Sequence, residues 1–144
     1  MTDYFHPHLS REELLSLPTL GLAHVGDCIF ELMARTYVLT HGGAANVKKI
    51  HLRTVAIVRA EAQASYARAM PALLGEDEHA VFLRGRNAKP KTLPKNASHE
   101  DYALATALEA LFGWLYLQGD EARLNELFEC CCAPHIASLF PETH

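Results

Sequence analysis

The 144-residue chain lacks the features that would place it among secreted or membrane proteins. No uninterrupted apolar run is long enough to span a bilayer, and the N-terminus lacks the basic start and apolar core of a signal peptide. Only four cysteines occur, and three of them are consecutive (Cys130 to Cys132), so a disulfide framework is not expected. We therefore expect a cytoplasmic protein with reduced thiols.

The chain also lacks the alternation of apolar and polar residues that marks a half-buried strand. Apolar residues recur at helical spacing instead. A hydrophobic fraction of 49% with 21% charged residues is typical of a globular protein that can bury a core. We predict an all-α fold of about six or seven helices in one domain covering residues 1–144.

Capping residues, glycines and prolines set the predicted helix bounds. Ser10 opens a short first helix as the start of a capping box, and Pro18 ends it. A helix capped by Asp120 carries Leu124, Leu127 and Phe128. The other predicted helices run over 19–40, 46–70, 71–74, 76–83, 98–118 and 135–140, and residues 84–96 form a basic loop that carries one glycine and two prolines.

Positive charge is scarce at both ends of the chain and concentrated in its centre. The net charge is −3 over residues 1–47, +6 over 48–95 and −7 over 96–144, although the whole chain carries −4. A basic region of this kind can bind phosphate even on an acidic protein. A solvated face with no partner is an equally good interpretation of the charge pattern taken alone.

Two carboxylates stand alone in long apolar stretches. Asp27 is the only charged residue of 20–30, and Glu109 is the only one of 103–117. Gly26 precedes the first acid and Gly113 follows the second by one helical turn, so the two helices could cross closely and bring the acids together. Hard oxygen ligands of this kind suit Mg²⁺ or Mn²⁺, and the ion would act on a phosphate bound by the basic loop.

Other interpretations of these residues remain open. Each acid could instead pair with an arginine, for example Arg35 or Arg59, because buried ion pairs imitate functional sites. His24 and His51 suit packing or hydrogen bonding better than catalysis. The three consecutive cysteines with His135 lack the second paired cluster that a zinc site needs, so thiols without a metal are the better interpretation.

Two segments and the stretch between them carry a family resemblance. The segment Leu22-Ala-His-Val-Gly-Asp-Cys-Ile-Phe-Glu31 resembles the signature helix of ribonuclease III. The segment Thr106-Ala-Leu-Glu-Ala-Leu-Phe-Gly-Trp-Leu-Tyr-Leu117 resembles the second acidic motif of that family, and Arg84-Gly-Arg-Asn87 also matches. The likeness extends over residues 14–128 and is strongest to the Mini-ribonuclease III group, which has the nuclease domain without a double-stranded-RNA-binding domain.

The resemblance implies a homodimeric endoribonuclease that cleaves double-stranded or structured RNA with Mg²⁺, for which Mn²⁺ may substitute. Metal-activated water would attack the phosphodiester and leave 5′-phosphate and 3′-hydroxyl ends, and the implied substrate is the precursor of large-subunit (23S) ribosomal RNA. Asp27 and Glu109 match the catalytic, metal-binding acids. The expected RNA-binding residues are Arg84, Arg86, Asn87, Lys89, Lys91 and Lys95.

The chain departs from full-length ribonucleases III at two positions. Ala23 stands where those enzymes have a glutamate, and Thr106 stands where they have an aspartate. Mini-ribonucleases III resemble this chain in lacking both acids, so two protein carboxylates would hold the metal where the longer enzymes offer four. An inactive ribonuclease III-like module that only dimerises or binds RNA is the alternative function, and a plain helical interaction module is a third.

Overall fold

The computed structural model of this chain describes residues 1–41, 46–88 and 98–140, and every regular element in these ranges is a helix. The α-helices are α1 Arg11–Leu15, α2 Thr19–His41, α3 Val47–Val58, α4 Ala60–Arg68, α5 Glu76–Asn87, α6 His99–Leu117, α7 Glu121–Leu127 and α8 Ala133–Leu139, with a 3₁₀ turn Pro71–Leu73 and a π turn Phe128–Cys132. The π turn joins α7 to α8 without a break. With α7, the π turn and α8 counted as one helix, the described ranges hold seven helices besides the 3₁₀ turn, which confirms the all-α prediction.

Helix α6 lies at the centre of the fold, and α2, α4 and α5 pack around it. The sequence of α6 is apolar on almost every side, which is the pattern of a helix surrounded by others. Phe30 of α2 contacts the rings of Tyr66, Phe112 and Phe128 with centroid distances of 5.8, 5.9 and 6.1 Å. These aromatic contacts join α2, α4, α6 and the π turn into the main core.

Helices α2 and α6 cross at backbone contact. A Cβ atom at Gly26 would lie 1.6 Å from the carbonyl oxygen of Glu109, and one at Gly113 would lie 1.9 Å from the carbonyl oxygen of Leu22. No side chain larger than hydrogen fits either position, so the two glycines permit the crossing. The close crossing expected from the sequence is confirmed.

The predicted helix over 46–70 is wrong, because the chain forms two helices there. Arg59 has φ −64° and ψ 153°, an extended conformation that ends α3 and begins α4. At the break, two backbone carbonyls of α3 accept hydrogen bonds from side chains. Gln63 Nε2 donates to Val58 O at 2.8 Å, and the Tyr66 hydroxyl donates to Ile57 O at 3.0 Å. No glycine or proline marks the break, so the usual sequence signals missed it.

The basic loop also begins later than predicted. Helix α5 continues to Asn87, so Arg84, Arg86 and Asn87 lie on its last turn, where positive side chains suit the negative end of the helix dipole. Gly85 allows this turn of α5 to pack closely on α6, since a Cβ atom there would lie 2.8 Å from Ala107 Cα. Lys89, Lys91 and Lys95 lie outside the described residues.

The last helix begins earlier than predicted. Ala133 starts α8 and Pro134 occupies its first turn, where the missing N–H of proline costs nothing. The predicted cap at the start of α7 is confirmed. Gly119 follows α6 with φ +83°, and the Asp120 side chain accepts a hydrogen bond from Arg123 N. None of the helices in the described ranges is both long and apolar enough to cross a membrane.

Candidate active site

Asp27 and Glu109 meet where α2 crosses α6. The crossing places Gly26 against the backbone of Glu109, so the two acids extend from adjacent points of the two helices. Their carboxyl groups lie within hydrogen-bonding contact of each other. The residue Asp27 is exposed, whereas Glu109 is only partly exposed. The pair therefore forms a site that solvent reaches from the Asp27 side.

The environment of Glu109 disfavours its charged form. Burial, followed by the neighbouring charge and hydrogen bond of Asp27, raises the pKa of the Glu109 carboxyl to about 8. Two carboxyl groups in hydrogen-bonding contact repel each other when both are ionised. A cation between them would remove that repulsion and restore the ionised form of Glu109.

The ion-pair interpretation of the two acids does not hold. Arg35 pairs with Glu31 at 3.4 Å, and Arg59 pairs with Glu61 at 3.1 Å. Among the residues that the structure describes, no arginine, lysine or histidine forms an ion pair with either Asp27 or Glu109. The negative charge of the site is therefore not balanced from within these parts of the chain.

Two positions beside the pair offer no further metal ligand. Ala23 has no donor and packs against Val81 of α5 and Ala110 of α6. The Thr106 hydroxyl is buried and donates to the carbonyl of Tyr102 at 2.9 Å, within its own helix. In the described ranges no three histidine, cysteine or acidic side chains cluster in a way that could hold a metal. A divalent ion at this site would have two protein carboxylates, with other oxygens completing its coordination.

The pKa of Glu109 gives a prediction about stability. Between about pH 4.5, the ordinary value, and about pH 8, folded Glu109 keeps a proton that the unfolded chain releases. The free energy of unfolding of the metal-free protein therefore falls as pH rises through this interval. We expect Glu109→Gln, which cannot ionise, to be more stable than the wild type above pH 8 by on the order of 2 kcal/mol.

Thermal melts in a chelator at pH 6 and pH 9 measure this difference. Glu129→Gln is the control, because Glu129 is exposed and its replacement should leave the pH dependence unchanged. Added Mg²⁺ should stabilise the wild type at pH 9 more than it stabilises Glu109→Gln. A variant that melts below the wild type at pH 9 without metal would contradict the prediction.

The predicted RNA-binding residues that the structure describes lie close to the carboxylate pair. Gly85 contacts Thr106 and Ala107 of α6, one turn before Glu109. Arg84 and Arg86 flank that glycine and are exposed, and Asn87 is exposed at the end of α5. The end of α5 therefore carries two exposed arginines on either side of the glycine that packs against α6.

The structure also places residues beside Arg84 that the sequence did not indicate. Arg11 and Asp77 pair at 2.7 Å, and both line a small cleft with Arg84 and Trp114. These residues belong to three helices and share no motif. The packing of α1, α5 and α6 brings them together.

Comparisons with a family model and with known sequences agree on one family. The model of the ribonuclease III domain matches residues 20–120. Mini-ribonuclease 3 of Clostridium tetani is 38% identical over 90% of this chain and 86% of its own length, and Mini-ribonuclease 3 of Enterococcus faecalis is 41% identical over 78% of this chain and 86% of its own. A crystal structure of a Fusobacterium nucleatum protein superposes with a TM-score of 0.75 at 28% identity, covering 88% of this chain and 93% of that one.

Proposed function

Because the chain belongs to the ribonuclease III family, whose members are endoribonucleases, we propose that it cleaves double-stranded or structured RNA with a divalent metal ion, Mg²⁺ or Mn²⁺. Asp27 and Glu109 are the proposed catalytic and metal-binding residues. The observation that carries this assignment is the meeting of the two carboxyl groups at the α2–α6 crossing, without a balancing cation among the described residues. In a plain helical interaction module, nothing would compensate the free-energy cost of placing two partly buried carboxyl groups together.

The donor set fits a hard divalent ion, since both ligands are carboxylate oxygens and one of them is partly desolvated. When bound, the ion would lower the pKa of a water molecule and offset the charge that builds on the phosphate. Attack of that water on phosphorus, with the P–O3′ bond breaking and O3′ taking up a proton, would give the proposed 5′-phosphate and 3′-hydroxyl ends. Asp27 lies on the solvent side and Glu109 at the helix crossing, so the two carboxylates would hold the ion where a phosphate can reach it from solvent. The close backbone contact limits how far either carboxylate can move.

The RNA backbone is the proposed ligand of the basic end of α5. Arg84 and Arg86 can each neutralise a phosphate, Asn87 can donate a hydrogen bond, and Lys89, Lys91 and Lys95 extend the basic charge along the chain. Contacts to phosphates carry no sequence information, which suits recognition of a duplex by its shape.

Phosphate contacts predict a strong dependence of binding on salt. We expect the affinity of the protein for duplex RNA to fall steeply from low to physiological salt, and Arg86→Gln to reduce the log–log slope by about one. Filter binding or anisotropy in a chelator measures the slope. Arg59→Gln, at the junction of α3 and α4, is the matched control, and an equal slope in wild type and Arg86→Gln would show that Arg86 makes no phosphate contact.

A second copy of the chain is the proposed partner of an apolar face on α2 and α3. Large apolar side chains are exposed there, with Leu39 at 70% and Val47 at 80%, and these two line one cleft between the helices. Leu32 of α2 and Leu52 and Val55 of α3 are exposed as well. Exposed apolar side chains of this number on adjacent helices are typical of an interface, and the family resemblance implies a homodimer.

Substitution on this face tests the dimer. We expect Leu39→Glu to shift the protein from dimer to monomer, because a carboxylate would have to be buried at the interface. Sedimentation equilibrium measures the molecular mass. Leu73→Glu provides the control, since Leu73 is exposed in the 3₁₀ turn away from this face. A wild-type protein that sediments as a monomer at micromolar concentration would contradict the proposal.

The proposed substrate is the precursor of large-subunit (23S) ribosomal RNA in the cytoplasm, as the likeness to Mini-ribonuclease III implies. The test is to incubate the purified protein with structured precursor RNA, with Mg²⁺ or with a chelator, and to map the new ends. Cleavage within a duplex region that needs the metal and leaves 5′-phosphates supports the function. Intact RNA in the presence of Mg²⁺ would support the inactive RNA-binding alternative instead.

A further inference from the structure

A cleft of about 130 Å³ lies between α1, α5 and α6, outside the carboxylate pair. Its walls include Arg11 and Leu15 of α1, Asp77, Ala80 and Arg84 of α5, and Trp114 of α6. Arg84 is the one wall residue that is also a proposed phosphate contact, and neither the close crossing nor that role accounts for the other wall residues. The cleft combines charged, aromatic and aliphatic side chains, so the class of ligand can be deduced from its chemistry.

The cleft is close to the proposed cleavage site. Arg84 lines the cleft, and the next residue, Gly85, contacts α6 one turn before Glu109. Trp114 follows Glu109 by five residues, which corresponds to about 7.5 Å along the helix axis. A nucleotide near the cleaved phosphodiester can therefore reach the cleft.

The charged groups of the cleft offer both donors and an acceptor. Arg11 donates to both carboxylate oxygens of Asp77, at 2.7 and 3.5 Å, which fixes the carboxylate on the wall. The Arg84 guanidinium forms no hydrogen bond or ion pair with another residue in the described ranges. Leu15, whose side chain is 60% exposed, and the partly exposed Trp114 add an apolar wall and an aromatic face.

This combination matches a nucleobase better than a phosphate. Arg11 already pairs with Asp77, so a phosphate in the cleft would have only Arg84 to neutralise it and would lie beside the Asp77 carboxylate, which repels it. The edge of a base, in contrast, carries both N–H donors for a carboxylate and acceptors for a guanidinium, and its ring can stack on tryptophan or arginine. We infer that the cleft binds an unpaired nucleobase of the RNA near the cleaved bond; this inference rests on the proposed nuclease function.

Tryptophan fluorescence tests the inference directly, because Trp114 is the only tryptophan of the chain. The full-length protein is titrated in a chelator and at low salt with a perfect RNA duplex and with the same duplex carrying one unpaired nucleotide at successive positions. Anisotropy of a labelled RNA measures binding independently. We expect the unpaired nucleotide, at one or two positions, to quench the emission of Trp114 and to tighten binding about 5- to 100-fold over the perfect duplex.

Two variants distinguish binding of a base in the cleft from effects elsewhere on α5. Ala80→Phe fills the cleft and should abolish both the quenching and the gain in affinity. Leu83→Phe adds a ring to the same helix outside the cleft and should keep both. Melting curves confirm that each variant is folded. If Ala80→Phe does not fold, the wild-type titration by itself still shows whether an unpaired base reaches Trp114.

The outcomes distinguish the cleft from the nuclease function. RNA that binds without quenching Trp114 at any position of the unpaired nucleotide overturns the inference and leaves the proposed function standing. Quenching that survives in Ala80→Phe also overturns it. A wild-type protein that neither binds these RNAs nor cleaves them with Mg²⁺ overturns both.

Discussion

The Asp27→Asn variant is expected to lose cleavage of duplex RNA by about 10³-fold or more, which corresponds to about 4 kcal/mol of transition-state stabilisation. Asparagine keeps the size of the side chain but removes half of the protein charge proposed to hold the metal ion. Asp27 is exposed, so the fold should survive the change. Single-turnover cleavage of a labelled duplex in Mg²⁺ measures the loss, and a melting curve checks the fold.

The matched control is Asp3→Asn, the same chemical change at an exposed residue near the N-terminus. We expect it to cleave at the wild-type rate. Binding of RNA by Asp27→Asn should also remain, because the proposed phosphate contacts belong to α5. If Asp27→Asn cleaved as fast as Asp3→Asn, the proposed catalytic role of Asp27 would be wrong and the activity would need another site.

The sequence allowed the central part of this site to be predicted. A charged residue that stands alone in an apolar helix is costly, so Asp27 and Glu109 were conspicuous without any structural information. A glycine within one turn of each acid indicated that the two helices could approach closely. The structure confirms the close crossing and places the two carboxyl groups in contact. Whether the pair holds a metal ion is a prediction that the proposed experiments test.

Other parts of the fold could not be predicted, because their causes lie in tertiary contacts. The break at Arg59 depends on Gln63 and Tyr66 side chains that donate to carbonyls of α3, and neither residue is a helix breaker. In the last turns of α5, Gly85 allows close packing on α6, whereas glycine usually counts against a helix interior. Local patterns therefore misplaced the start of the basic segment by one helical turn.

The close crossing serves both the core and the candidate site. The same backbone contact that joins α2 to α6 holds Asp27 next to Glu109, and burial at the crossing raises the pKa of Glu109. Without a cation, the contact therefore reduces stability at alkaline pH. The repulsion that lowers the stability of the metal-free protein is also what favours binding of a divalent ion. We therefore expect that substitutions selected only for stability without metal would remove this pair.

Gly26→Ala is expected to have the largest effect on stability. A methyl group there would lie 1.6 Å from the carbonyl oxygen of Glu109 and 2.7 Å from the backbone nitrogen of Gly113. Both atoms belong to the backbone, so a side-chain rotation cannot relieve the overlap and the helices must separate. We expect a loss of at least about 3 kcal/mol in the free energy of unfolding and a melting temperature lower by roughly 10 °C.

Gly21→Ala is the matched control, because it makes the same change in the same helix. A Cβ atom at Gly21 would lie 3.1 Å from Pro18 Cγ, a side-chain atom at the surface that can move. Alanine also favours a helix over glycine by about 1 kcal/mol, so this variant should be as stable as the wild type or slightly more stable. Separation of the helices in Gly26→Ala should also move Asp27 away from Glu109. At a temperature where Gly26→Ala remains folded, its cleavage should therefore be far slower than that of Gly21→Ala, and equal rates would show that the crossing does not position the carboxylates.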